Sequence, residues 1–349
     1  MNQTALRHLD HPLARVAYVD VDVGPERADH RPALLFIHGA LCAHGDWAPS
    51  IDHFSDRHRC VALDLPGHGA SPARPEAIGI APYARIVRDL AAALGLHDVV
   101  LVAHSMGCRV ALQAAVGSEL GEVTAHPTDH REAADAPPVD ASSRADRRQP
   151  WPGLRGLVLV DGAYLTPRLL TDETPAQRRA LADAARSRAA ALYADQAPAE
   201  RAARGFGQMF FDARFHDVRD RLIARARALP PEVARTLMPD FAGWDVEHME
   251  TVLPHVTAPV LALACTFMTS AHERVRLQAD TRTPWLDALQ HHVGDVEIAR
   301  IPDAGHFPML EQPDATHALI ATWLQQRGRL ADDRAVAPPD RTRDQGTTP

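Results

Sequence analysis

DVVLVAHSMGCRVALQA, residues 98–114, joins a short apolar run to a helical pattern through His-Ser-Met-Gly. A serine is common wherever a strand hands over to a helix, so the reading depends on its neighbours. A nucleophile at the tip of a sharp strand-to-helix turn needs small residues two positions before and after it, because the two backbones approach closely there. Ala103 and Gly107 stand at those positions, the alanine adding one methyl to the glycine more usual at the first. A helix starting at Met106 points its free N–H groups and positive dipole end at Ser105, which favours negative charge developing beside it.

Outward from this stretch, short apolar runs alternate with helical patterns. RVAYVDV, ALLFIHG, CVALDLPG, VVLVAHS, GLVLVDG, PVLALAC and VEIARIP read as strands. Most lack polar alternation, as strands buried on both faces do. Helices are predicted over residues 82–94, 106–116, 284–292 and 314–326. The succession predicts a doubly wound, mostly parallel sheet with helices on both sides.

Two segments interrupt the rhythm. Residues 118–150 are rich in Pro, Asp, Ala and Arg and nearly empty of large apolar residues, which predicts a disordered surface insertion. Residues 165–253 are Arg- and Ala-rich and helical, with Phe206, Met209, Phe210, Phe211 and Phe215 near the middle, and are expected to form a cap. Residues 1–164 and 254–328 then make the core, and the polar stretch 329–349 is expected to be a disordered tail.

Composition removes several function classes. The 349-residue chain carries a formal net charge of -8 and no basic stripe interleaved with aromatics, so a nucleic-acid partner lacks its electrostatic footprint. All 37 Lys+Arg residues are arginine; without lysine, Schiff-base chemistry and a lysine-bearing phosphate loop are excluded. The four cysteines, Cys42, Cys60, Cys108 and Cys265, stand far apart, without the pair spacings of a zinc site or disulfide framework. No run approaches the roughly 20 apolar residues of a membrane span, and the start of the chain lacks a signal-peptide pattern. The expectation is a cytoplasmic monomer or homodimer with a small-molecule substrate, no membrane or nucleic-acid partner, and no metal or cofactor. His44, Asp46 and His68 match no metal-ligand spacing.

Serine is a poor nucleophile unless a histidine base and an orienting carboxylate accompany it. IARIPDAGHFPMLEQP offers His306 in a Gly-His-Phe-Pro turn after the last predicted strand, on the same carboxyl edge of a parallel sheet as Ser105. LLFIHGALCAHGDW ends a strand in a turn whose backbone N–H at Ala40, together with that of Met106, is placed to hold an oxyanion. His38 reads as a loop brace, although it also falls where the substrate pocket is expected, with Leu41, Phe206, Phe210 and Phe307. His104 is expected to point away into the sheet.

These motifs, HGA…W, DLPGHGAS and AHSMG followed much later by GHFPMLEQP, resemble the α/β-hydrolase superfamily over roughly residues 16–327. The resemblance implies an eight-stranded α/β-hydrolase fold with a helical cap between the sixth and seventh strands. It further implies Ser105 as nucleophile and His306 as the base that relays its proton. The acid departs from the pattern. Many relatives place an aspartate soon after the seventh strand, where this chain reads PVLALACTFMTSAHE. Asp161, at the end of the sixth strand, is the residue chosen, with Glu273, Asp280 and Asp287 as alternatives. The function expected is a serine hydrolase cleaving an ester-like or activated acyl bond through an acyl-enzyme. The alternatives are a carbon–carbon bond hydrolase, lyase or perhydrolase using the same residues, and a non-catalytic ligand-binding member of the fold.

Overall fold

A computed structural model describes residues 5–22, 31–117, 151–162, 173–194, 198–269, 271 and 273–336. The insertion expected at 118–150 and most of the expected tail lie outside the described residues. One sheet of eight strands organises the molecule, in the order β1-β2-β4-β3-β5-β6-β7-β10. Its strands are β1 (Arg7–Asp10), β2 (Arg15–Val21), β3 (Ala33–Ile37), β4 (Cys60–Leu63), β5 (Val99–His104), β6 (Leu154–Val160), β7 (Val260–Ala264) and β10 (Val296–Arg300). Pairings from β4 across to β10 are parallel, whereas β1–β2 and β2–β4 are antiparallel. The fold class is as expected from the alternation of runs and helices.

Burial explains which strands the sequence announces. Every residue of β3, β4, β5 and β7 is buried, so these strands appear as unbroken apolar runs. The sequence reading missed β1, Arg-His-Leu-Asp, because an edge strand held by backbone bonds to β2 carries no apolar run. A separate two-stranded hairpin, β8 (Thr266–Met268) with β9 (Arg274–Arg276), follows β7 directly and was also missed.

Helix α1 (Ala48–Phe54) packs with the last helix, and α2 (Ile80–Ala93) packs with α3 (Met106–Val116). Between β6 and β7 the described residues are helical: α4 (Pro175–Tyr193), α5 (Pro198–Gly207), α6 (His216–Ala228), α7 (Pro231–Glu247) and α8 (Met249–Val252). Then α9 (Pro284–His292) precedes β10, and α10 (Pro308–Glu311) and α11 (Pro313–Val336) end the described chain. The final helix passes the boundary at 329 where the tail was expected to begin. Its polar last turns continue a helix already nucleated and packed upstream. No described helix is long and apolar enough to cross a membrane.

The helical segment grips the core through buried polar contacts. Arg109 of α3, fully buried, places Nε 2.7 Å and Nη2 2.9 Å from the two Asp245 carboxylate oxygens of α7. Trp244 Nε1–H donates to Gln113 at 3.0 Å. From α6, Arg225 makes a bidentate pair with Asp46 at 2.9 and 2.5 Å, and Asp240 accepts the N–H of Ile80 at the start of α2 at 2.8 Å.

Candidate active site

Ser105 sits between β5 and α3 with φ +54° and ψ −116°, a left-handed conformation that costs a non-glycine residue about 1–3 kcal/mol. Three of the four described non-glycine residues with positive φ lie in this region: Leu41 (+60°), Ser105 and Asp161 (+46°). The turn is possible because its neighbours lack bulk. A Cβ on Gly107 would stand 2.7 Å from the carbonyl oxygen of Ile37 and 2.8 Å from that of His38, and one on Gly39 would meet His104 and Ser105. Ala103 is fully buried in β5, so its extra methyl is accommodated in the core.

His306 Nε2 lies 2.9 Å from Ser105 Oγ, and His306 Nδ1 lies 2.7 Å from Asp161 Oδ2. Asp161 is itself saturated. Its Oδ1 accepts the N–H groups of Cys265 and Thr266, both at 2.9 Å, and Oδ2 accepts the Thr266 hydroxyl at 2.5 Å. Burial works against the Asp161 charge, yet the His306 hydrogen bond, the nearby Arg274 guanidinium and the Thr266 hydroxyl outweigh it and hold the carboxyl below its ordinary range. With an acceptor-only carboxylate opposite, Nδ1 carries the ring proton and Nε2 faces the serine as acceptor. Burial first, then the Arg274 charge, push the His306 pKa down to about 4 against the pull of Asp161.

The other acids considered lie elsewhere. Glu273 and Asp280 are exposed, and Asp287 is held by Arg282 at 3.1 Å. In the space after β7 where an aspartate is usual stand Thr266 and, from the hairpin, Arg274.

The loop carrying His306 is held on several sides. Glu311 accepts the N–H of Gly305 at 3.0 Å and of Phe307 at 3.1 Å, Met209 O accepts the His306 N–H at 2.8 Å, and His104 Nε2–H donates to His306 O at 2.7 Å. Any Cβ at position 305 would collide with Met209 O. His104 thus corrects its expected orientation. It turns toward the loop and packs its ring 4.7 Å from that of His306 and 4.6 Å from that of Phe307, where Gly39, having no Cβ, leaves room for the imidazole.

Across the serine, the turn after β3 is braced by two neutral histidines. His38 Nδ1–H donates to Gly39 O at 2.7 Å while Nε2 accepts the Leu65 N–H at 3.0 Å. His68 Nε2 accepts the Leu41 N–H at 3.1 Å. Burial lowers their pKa values to about 3 and about 4. His38 therefore braces the turn and has neither surface nor a free nitrogen for a ligand. Among the described residues, the N–H groups of Ala40 and Met106 donate to no acceptor. Phe206, Phe210 and Phe307 form a buried ring stack, Phe210 lying 5.1 Å from Phe307 at 6°. They join the helical segment to the His306 loop, and Leu41 is buried as well.

Sequence reasoning missed Thr266 and Arg274, which act through contacts between distant segments and stand in no local pattern that marks them. It gave no role to Glu311, although that residue lies within GHFPMLEQP and braces the same turn.

Residues 32–117 match the family model described as alpha/beta hydrolase fold. A thermophilic esterase from Thermogutta terrifontis superimposes with a TM-score of 0.61 at 21% identity, covering 93% of this chain and 99% of that one. The enol-lactonase from Burkholderia xenovorans superimposes with a TM-score of 0.61 at 17% identity, covering 91% and 100%. A stretch of 142 residues is 30% identical to the dihydrolipoyllysine-residue acetyltransferase component of the acetoin cleaving system of Cupriavidus necator, covering 40% of this chain and 38% of that protein. The chain spans less than two fifths of the length of the curated relatives it matches. The protein has the α/β-hydrolase fold.

Proposed function

We propose that the chain is a cofactor-independent serine hydrolase acting on an ester-like or activated acyl bond. The observation that carries the reading is the unbroken contact chain Ser105 Oγ–His306 Nε2 at 2.9 Å and His306 Nδ1–Asp161 Oδ2 at 2.7 Å. In this reading His306 takes the serine proton as Oγ attacks the acyl carbon, then returns it to the leaving group as the carbon–oxygen bond breaks. Asp161 keeps the proton on Nδ1. The Ala40 and Met106 N–H groups hold the oxyanion, each worth about 10²–10³ in turnover. Water, activated by the same imidazole, cleaves the acyl-enzyme.

The substrate we infer carries a small or medium apolar acyl group, a reading supported by the apolar rings packed beside His306, Phe307 lying 5.5 Å from it. A fluorophosphonate probe tests the assignment. The intact chain should be labelled at Ser105 and should hydrolyse p-nitrophenyl esters, and Ser105→Ala and His306→Ala should do neither. An intact protein that neither labels nor hydrolyses would instead be a binding member of the fold.

A further inference from the structure

One cation beside His306 has no role in the hydrolytic cycle above. Arg274 comes from β9, and its side chain is 9% exposed. Its Nη1–H donates to Thr266 Oγ1 at 2.7 Å, and the Thr266 hydroxyl donates in turn to Asp161 Oδ2. The same nitrogen lies 3.1 Å from His306 Nδ1 and 3.7 Å from Asp161 Oδ2. Nδ1 already carries the proton given to Asp161, and a guanidinium can only donate. The approach of Arg274 to the ring is therefore a positive charge held against a protonated edge. A triad normally sets a carboxylate alone behind the imidazole, stabilising the imidazolium that forms during attack. Here the carboxylate is shared with a cation.

The remaining charged and titratable groups around the ring do not cancel this. From β5, His104 is neutral, its pKa lowered to about 3 by burial first. From α3, Arg109 adds a weaker positive field to that of Arg274. From α10, Glu311 is occupied by the amides flanking His306, and the Cys265 thiol beside Asp161 is kept neutral by burial. Among the described residues, Asp161 is the negative group in contact with the ring.

We propose that Arg274 is a positioning residue: through Thr266 it helps to keep Asp161 ionised, and its charge beside Nδ1 weakens His306 as a base, which suits the site to acyl groups with activated leaving groups such as phenolates, enolates and thiolates. The proposal rests on the hydrolytic reading above. A weaker base takes the serine proton less readily, so attack is efficient only on an already electrophilic carbonyl. In exchange the base stays unprotonated well below neutral pH, and its conjugate acid gives its proton back more readily.

The test uses the full chain and its Arg274→Met and Arg274→Lys variants. The dependence of kcat/KM on pH is measured with p-nitrophenyl butyrate and with ethyl butyrate. In parallel the His306 ring is titrated by NMR in protein carrying ¹⁵N-histidine, its signals assigned by their loss in His306→Gln. Arg274→Met should raise both the acid limb and the ring midpoint by about one pH unit or more. Activity near about pH 5 should fall, and the ethyl ester should gain relative to the p-nitrophenyl ester near about pH 8. Arg274→Lys should restore the parental midpoint. A uniform loss at every pH with the ring midpoint unmoved would reduce Arg274 to a structural residue. The ring titration needs no turnover, so a chain that neither labels nor hydrolyses would overturn the hydrolytic reading while still deciding the effect of Arg274 on His306.

Discussion

At Asp161 a single side chain must remain ionised in a fully dry position, and four donors make that possible. Asp161→Asn keeps the shape but presents an amide that can hold the wrong imidazole tautomer, so turnover should drop by roughly 10³–10⁴ with KM little changed. Steady-state kinetics on a p-nitrophenyl ester check this, and a loss under about tenfold would remove Asp161 from the mechanism. Glu311 obeys a different balance. Burial raises its pKa from 4.5 to about 7 despite the two amides it accepts. A carboxyl whose folded pKa is raised contributes stability that is present below about pH 4.5 and is lost as pH rises through about 7. Glutamine does not titrate, and its single oxygen can accept only one of the Gly305 and Phe307 N–H groups. Glu311→Gln should therefore melt below the parent near pH 5, with a smaller deficit near pH 8 where the parent has lost that stability, as thermal melts across that range would show.

Among the elements, α3 matters most, because it carries the serine at one end and ties the helical segment to the core along its length. Arg109 also donates to Ser105 O at 3.2 Å, so the pair with Asp245 holds the backbone of the serine as well as α7. Removing one partner of so buried a pair costs about 3–5 kcal/mol, whereas replacing both with apolar residues of similar volume is often close to neutral. Arg109→Met should thus unfold at markedly lower denaturant concentration, and Arg109→Met with Asp245→Leu should recover most of the loss. Equal midpoints for the single and double variants would show that the pair is not the source of the stability.

For the whole molecule, the contacts from Arg109, Asp46, Gln113 and Ile80 to the helical segment, with the ring stack at Phe307, join it to the sheet over a wide area. Two units sharing this much buried polar and aromatic contact should melt together. Calorimetry should show one transition whose van't Hoff and calorimetric enthalpies agree; two separated peaks would mean the helical segment folds alone.

The amino-acid sequence by itself determined the parallel sheet, since strands buried on both faces must be written as apolar runs. It determined the turn at Ser105 too, since Gly107 is the one kind of residue that clears the carbonyls of Ile37 and His38. The 2.9 Å approach of Ser105 to His306, the 2.7 Å approach of Asp161 to the same ring while Glu273, Asp280 and Asp287 lie elsewhere, and the presence of Thr266, Arg274 and Glu311 around the imidazole were decided only by the tertiary structure. Local patterning records what a residue needs from its immediate chain neighbours. It does not record which segments, some 145 residues apart in the case of Asp161 and His306, the packing of strands and helices will bring within reach of one proton.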